Sequence, residues 1–241
     1  MIKNEDTVAI MTPLDPTIDK LSKETYKKNI KSLKMLNYPR NKLHLILIQP
    51  EGTDWSQFLE KNHYIDYTLI THSYRSDEIR FFELADFRNA LLTEGKIYDW
   101  GWFVDSDVLV PRNSIIEFIA YKRDMIGGVV VIPNEFGKSV FGFGKFKPFF
   151  NGVKFNNKLP NTVTSVDFIN TACMFLSHKI MNDARVKFCV IKSQNQINSE
   201  DHSYCFMAKT YGYNIYIDPD IHCKHFRRFS KTEQVLLEID K

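Results

Sequence analysis

The sequence predicts an α/β fold: a single domain on a mixed, mostly parallel sheet with helices on both faces. Three observations carry that expectation. Short apolar runs rich in β-branched residues alternate with stretches of helical periodicity. The 241 residues, 44% of them hydrophobic, suffice for one large domain with a real core. Charged residues make up 25%, so disordered, collagen-like and disulfide-scaffold classes are excluded.

The elements follow in order. Thr7–Leu14 reads as an apolar strand ending in Thr12-Pro13. Ile18–Leu36 is an amphipathic helix stopped by Asn37 and Pro39. Lys42–Gln49 is a second strand, and Asp54–Asn62 a short helix whose first residue suits a cap. Asp66–Thr71 is a third strand, and Phe81–Thr93 a helix closed by Gly95. Trp100–Val110 is a hydrophobic strand, followed by a helix near Ser114–Tyr121 and a buried strand over Met125–Ile132. From Asn134 to Thr164 glycines and prolines recur with little periodicity, which predicts a long functional or mobile loop. Val163–Leu176 reads as strand, Lys179–Ala184 and Glu200–Tyr211 as helices, and Asn214–Asp218 as strand. Residues 1–226 form the expected domain, with halves of about 1–110 and 111–226, and 227–241 a basic, then helical, tail.

Composition narrows the function classes. A formal net charge of +3 is too small to argue for nucleic acid without a clustered basic face, so no nucleic-acid partner is expected. The start of the chain is polar and no apolar run approaches the roughly 18 residues of a membrane span. Cys173, Cys189, Cys205 and Cys223 form no C-x-x-C pair. That favours free core thiols in a reducing cytoplasm over a zinc site.

The sharpest local signal is Trp102-Phe103-Val104-Asp105-Ser106-Asp107-Val108, a buried strand running into two carboxylates. At strand spacing Asp105 and Asp107 point to one side, and two like charges call for a cation between them. Hard oxygen ligands suit Mg²⁺ or Mn²⁺, which bridge well to phosphates. The alternative is a pair of turn aspartates, one of them capping the next helix. In open α/β sheets ligands bind at the carboxyl ends of strands, where this pair falls.

Arg88 lies mid-stripe among Phe81, Leu84, Ala85, Leu91 and Leu92 on its helix. A guanidinium there must be paired, either with a substrate phosphate, with one of the two aspartates, or in a structural ion pair. Asp201 shares a helix face with Tyr204, Cys205 and Ala208. It is a first-turn acid favoured by the helix dipole, or a desolvated general base; His202 beside it reads as a solvated neighbour. In Ile221-His222-Cys223-Lys224-His225, period two puts His225 inward, as a core histidine or a ligand that would tilt preference toward Mn²⁺. Phe141–Phe150 interleaves phenylalanines with Lys145 and Lys147, either as core or, the reading preferred here, as an acceptor-side lid.

Taken in order, these segments resemble the GT-A-fold nucleotide-sugar glycosyltransferases of the family-2-like or Anp1-like kind. The carriers are Ile10-Met11-Thr12-Pro13, Ala85-Asp86-Phe87-Arg88-Asn89-Ala90, Phe103-Val104-Asp105-Ser106-Asp107 and Asp124-Met125-Ile126-Gly127-Gly128. Val166-Asp167-Phe168 with Thr171-Ala172-Cys173-Met174, and Glu200-Asp201 through Asp218-Pro219 to Cys223-Lys224-His225, complete the set over roughly 7–226. The resemblance implies metal-dependent transfer of a sugar from a UDP- or GDP-sugar to a hydroxyl of a glycan, lipid or protein. It assigns Asp105, Asp107 and His225 to Mn²⁺ or Mg²⁺, and Thr12, Pro13, Arg88, Ser106 and the two aspartates to the donor. It makes Asp201 the base of an inverting reaction and Glu200 an acceptor contact, with Asp167, Phe143 and Phe146 on the acceptor side. Asn170-Thr171-Ala172-Cys173 lacks the usual glycines. A cytoplasmic protein with a peripheral membrane contact would fit. A haloacid-dehalogenase-like phosphohydrolase using the same aspartates, and a non-catalytic nucleotide-sugar-binding module, are the competing readings.

Overall fold

β1 (Val8–Pro13) is largely apolar on both faces and buried from Val8 to Thr12, as a central strand covered from both sides must be. The computed structural model describes residues 5–16, 19–63, 65–73, 80–133, 139–148, 151–193, 196–228 and 234–237. α1 (Lys20–Lys34) starts at Asp19, whose Oδ1 accepts the Ser22 N–H at 2.8 Å. A short 3₁₀ turn over Arg40–Lys42 leads into β2 (Leu43–Pro50). α2 (Ser56–Asn62) begins two residues later than the expected Asp54: Trp55 is its cap position, and Asp54 instead accepts the Ser56 N–H at 2.9 Å. β3 (Tyr67–His72) and α3 (Arg80–Gly95) follow.

Gly95 is the last residue of α3 rather than a left-handed cap, and the reason for glycine is proximity. A Cβ there would lie 2.8 Å from the Met11 Sδ on β1. The expected strand Trp100–Val110 is split into β4 (Trp100–Val104) and β5 (Val108–Leu109), because residues 105–107 form a turn. α4 (Ser114–Tyr121) and β6 (Met125–Pro133) match expectation.

The stretch predicted to be a loop differs from its pattern. β7 (Ser139–Phe141) pairs with β6, and β8 (Phe143–Phe146) pairs antiparallel with β9 (Val153–Phe155). The expected strand Val163–Leu176 is three: β10 (Thr164–Val166), β11 (Phe168–Ile169) and β12 (Cys173–Ser177). Pairing between short segments, some adjacent in the chain and some remote, makes these strands, not local periodicity. α5 (His178–Met181), β13 (Ile191–Ser193), β14 (Gln196–Asn198) and α6 (Glu200–Thr210) come next. β15 (Ile215–Arg228) runs far past the expected end at Asp218. Where a helical tail was expected, the described residues form β16 (Gln234–Leu237), antiparallel to β15.

The main sheet runs β10-β15-β6-β12-β4-β1-β2-β3. Along this path every strand points the same way except β12 and β10, so the sheet is mixed and mostly parallel. Two apolar clusters cover its two faces. One includes Tyr26, Ile30 and Leu33 of α1 with Ile115 and Phe118 of α4; the other includes Ala85 and Leu91 of α3 with Tyr204 and Ala208 of α6. β15 shifts register against β6 between Asp218 and His222, then turns to pair with β5. That bend carries the end of β15 to the turn after β4, across the carboxyl ends of the parallel strands. No described helix is long and apolar enough to cross a membrane.

Candidate functional site

The turn after β4 is held from three directions. Its own backbone closes it, with Val108 N donating to Asp105 O at 3.1 Å. From α1, the Asn29 amide donates to Val108 O at 2.6 Å and to Asp105 O at 3.3 Å. From β15, Phe226 N donates to Asp107 O at 2.9 Å. Asp105, Ser106 and Asp107 lie in a turn and not in a strand, so it is not the pleat that aligns the two carboxylates. Each has its own partner.

Asp105 meets Arg88. The guanidinium Nη2 lies 3.4 Å from Asp105 Oδ1, and Nε lies 3.2 Å from Glu200 Oε1 at the start of α6. Arg88 and Glu200 are both buried. Burial by itself would lower the Arg88 pKa, but the carboxylates of Asp105 and Glu200 override it, so the guanidinium stays charged. Burial pushes the Asp105 carboxyl up, and neighbouring Asp107 adds to this while Arg88 opposes it. Burial also drives Glu200 up to about 7, opposed by Arg88 and reinforced by Asp201. Of the partners open to Arg88 on sequence grounds, the structure supplies two acids, one unforeseen.

Asp201 is buried and ringed by donors. Its Oδ1 accepts the Ser199 hydroxyl and the His202 N–H at 2.7 Å, and its Oδ2 accepts the Asn170 amide at 3.2 Å. The Asn170 carbonyl oxygen in turn accepts the Ala172 N–H at 2.8 Å, which fixes the amide's orientation. His202 is not a solvated neighbour: its ring packs edge-on against Phe168 with centroids 4.6 Å apart, and its Nδ1 is 2.9 Å from the Ser199 hydroxyl.

His225 does point inward. Its Nδ1–H donates to Val131 O at 3.2 Å, which leaves Nε2 facing Asp107 Oδ2 at 3.4 Å. Burial would lower its pKa, but the hydrogen bond and charge of Asp107 raise it. A ring nitrogen anchored on a carbonyl, with the other turned to a carboxylate, suits a metal ligand. Among the described residues, however, no three His, Cys, Asp or Glu side chains gather closely enough to hold an ion. Of the three residues expected around a metal, Asp107 faces His225 and Asp105 faces Arg88.

Ser106 and Asp107 also line a pocket with Asp15, Leu21, Ser22, Thr25 and Trp55. Pro13 is the last residue of β1, and Thr12 is fully enclosed, its Oγ1 without a hydrogen-bond partner among the described residues. The residues expected on the acceptor side are occupied in packing. Asp167 binds the Lys209 ammonium at 2.8 Å and the Phe146 N–H at 3.0 Å, tying α6 to β8. Phe143 is buried, and Phe146 packs on Phe168 and Phe206. The described part of the phenylalanine-rich run is thus core of the small sheet; Phe149 and Phe150 lie outside the described residues.

Asn29, Asn170 and Ser199 went unrecognised in the sequence. Asn29 carries the same signal as Arg88, a polar residue inside an apolar helix stripe beside Tyr26, Ile30 and Leu33. Ser199 carries the signal of a serine at the cap position of α6, whereas Asn170 carries no pattern of its own.

No family model matches this sequence, and no characterised protein matches it by sequence. Several solved structures share its fold. Residues 1–349 of Staphylococcus aureus TarS, in complex with UDP-GlcNAc, superpose with a TM-score of 0.59 at 14% identity, over 89% of this chain and 56% of that one. The mannosyltransferase PcManGT from Pyrobaculum calidifontis, in complex with GDP-Man and Mn²⁺, gives 0.56 at 13% identity, over 89% and 55%. A197 from STIV gives 0.52 at 14% identity, over 92% and 86%. The chain spans little more than half of TarS 1–349. The fold is that of the GT-A glycosyltransferases.

Proposed function

We propose that the chain is a nucleotide-sugar-dependent glycosyltransferase acting by single displacement on an acceptor hydroxyl. The observation that carries this is the convergence of Arg88 and His225 on the Asp105–Val108 turn, with Glu200 held by Arg88 and Asp201 next to it in the chain. They come from separate elements and meet at the carboxyl ends of parallel strands, where α/β sheets bind ligands. Neighbours of the same fold were solved with UDP-GlcNAc and with GDP-Man, which supports a nucleotide sugar as donor.

The pocket between Asp15, Trp55 and Ser106 is the candidate seat of the nucleotide. Asp107 and His225 would hold Mn²⁺ or Mg²⁺, with Asp105 behind them, and such an ion neutralises charge gathering on the departing diphosphate. Arg88 keeps Asp105 and Glu200 in place and adds fixed positive charge near the turn. Asp201 is the candidate base. A carboxylate offers about four acceptor positions, and Ser199, His202 and Asn170 fill three, leaving one for an acceptor hydroxyl. The hydroxyl oxygen forms its bond to the anomeric carbon as the bond to the diphosphate breaks. The diphosphate leaves with the electron pair and Asp201 takes the proton, so configuration inverts. Glu200, turned onto Arg88, serves the site as a positioning residue rather than as an acceptor contact.

The phosphohydrolase reading needs Asp105 as a free nucleophile, and the hold of Arg88 on that carboxylate argues against it. A panel of UDP- and GDP-sugars, read by thermal shift with and without Mn²⁺, should identify one stabilising donor, and turnover should release its nucleoside diphosphate. Asp201→Asn should keep donor binding and lose at least about 100-fold in transfer. Near-normal turnover in that variant removes Asp201 as the base. Stabilisation by no nucleotide sugar at all overturns the assignment.

A further inference from the structure

α1 carries six lysines and one glutamate in 15 residues, a local charge of +5 against +3 for the whole chain. The remainder of the molecule is therefore slightly acidic, and the basic character is concentrated on one helix. At 100° per residue Lys20, Lys27, Lys31 and Lys34 fall within about 60° of one another, with Lys23 and Lys28 on either flank. The opposite side of the helix, with Tyr26, Asn29, Ile30 and Leu33, is buried. The exposed side is thus a straight lysine ridge about 22 Å long. Lys28 lies over the Phe226 ring at 4.5 Å, which joins the ridge to β15. Met35, just past the helix, is 58% exposed and continues the same side.

We propose that this ridge docks the protein on an anionic lipid surface. The charges are all lysines, flexible point charges suited to a diffuse anionic plane, rather than the forked arginines that read nucleic-acid phosphates and bases. The ridge offers no exposed aromatic ring on which a base could stack, and its one exposed large apolar side chain, Met35, can dip among headgroups. The same helix contributes Leu21, Ser22 and Thr25 to the pocket containing Asp107. These pocket residues lie on the side of α1 away from the ridge, so a protein lying on α1 holds its candidate site about one helix diameter, roughly 10 Å, from the lipid surface. Docking needs no catalysis, so its test is independent of the glycosyltransferase reading.

The test is co-sedimentation of the full chain with vesicles of about 30% phosphatidylserine in phosphatidylcholine, against phosphatidylcholine alone. Binding should require the anionic lipid and fall away at about 0.5 M NaCl. Lys20→Glu/Lys27→Glu/Lys31→Glu should weaken it at least about 100-fold, and the corresponding Gln variant should weaken it less. Lys154→Glu/Lys158→Glu/Lys187→Glu, with the same change in net charge at exposed sites elsewhere, should leave most of the binding intact. Thermal melts of the ridge variants that match the parent chain exclude misfolding as the cause. The proposal is overturned if anionic vesicles do not bind at low salt, or if both triple variants lose binding equally. It is also overturned if the chain binds single-stranded RNA more tightly than anionic vesicles.

Discussion

Arg88 on α3 and Glu200 on α6 form an ion pair of 3.2 Å with both side chains about 5% exposed. Such a pair is costly to break from one side, because the surviving charge is left in the interior. Arg88→Met and Glu200→Leu should each destabilise by about 3–5 kcal/mol, while the double variant should recover much of the loss. Denaturant titration of the four proteins measures the coupling. Strict additivity would mean that Asp105, not Glu200, is the partner that matters to Arg88.

Asp107 and His225 face each other at 3.4 Å, and their geometry gives a second prediction. Asp107→Ala and His225→Ala should each lower Mn²⁺-dependent affinity for a nucleoside diphosphate by at least about tenfold. Affinity without metal should change little. Calorimetry with and without Mn²⁺ separates the two effects, and unchanged metal dependence in both variants would leave His225 as a core residue.

Gly144 on β8 sits against β9, and a Cβ added there would fall inside contact distance of the Lys154 carbonyl oxygen. Backbone cannot swing aside as a flexible side chain can. Gly144→Ala should therefore cost about 1–3 kcal/mol and loosen the small sheet packed beside α6. Hydrogen exchange at β8 and β9 would show it as faster exchange confined to those strands.

His63 provides a pH dependence. Its Nε2 is 3.1 Å from the Tyr26 hydroxyl, and burial lowers its pKa to about 4. Above the ordinary histidine value near 6.5 both folded and unfolded chains hold it neutral, and it contributes no pH dependence. As pH falls from about 6.5 to about 4 the unfolded chain takes a proton that the folded chain refuses, so stability drops by up to about 3 kcal/mol. Melting temperature followed over that window should fall less steeply in His63→Gln. Equal slopes would assign the acid loss to carboxylates.

What the sequence determined is what rests on short-range pattern. The apolar runs around Ile10, Ile46 and Val130 had to be central strands, since a segment apolar on both sides is stable only when covered on both. The helix stripes of Tyr26, Ile30 and Leu33, and of Ala85 and Leu91, were equally readable, and so was the need of Arg88 for a partner. The inward turn of His225 followed from alternation along a strand.

The tertiary structure decided which groups meet. Glu200 became the partner of Arg88, and Asp105 and Asp107 parted to different neighbours, because a turn replaced the pleat that equal spacing assumed. Asn170 came to hold Asp201 across 31 residues of chain, a convergence that no local pattern encodes. The pairing of β10 with β15 and of β11 with β8 was likewise decided by partners remote in the chain. A three-residue strand gains its stability from its neighbour's hydrogen bonds, whereas a helix closes its hydrogen bonds within its own segment.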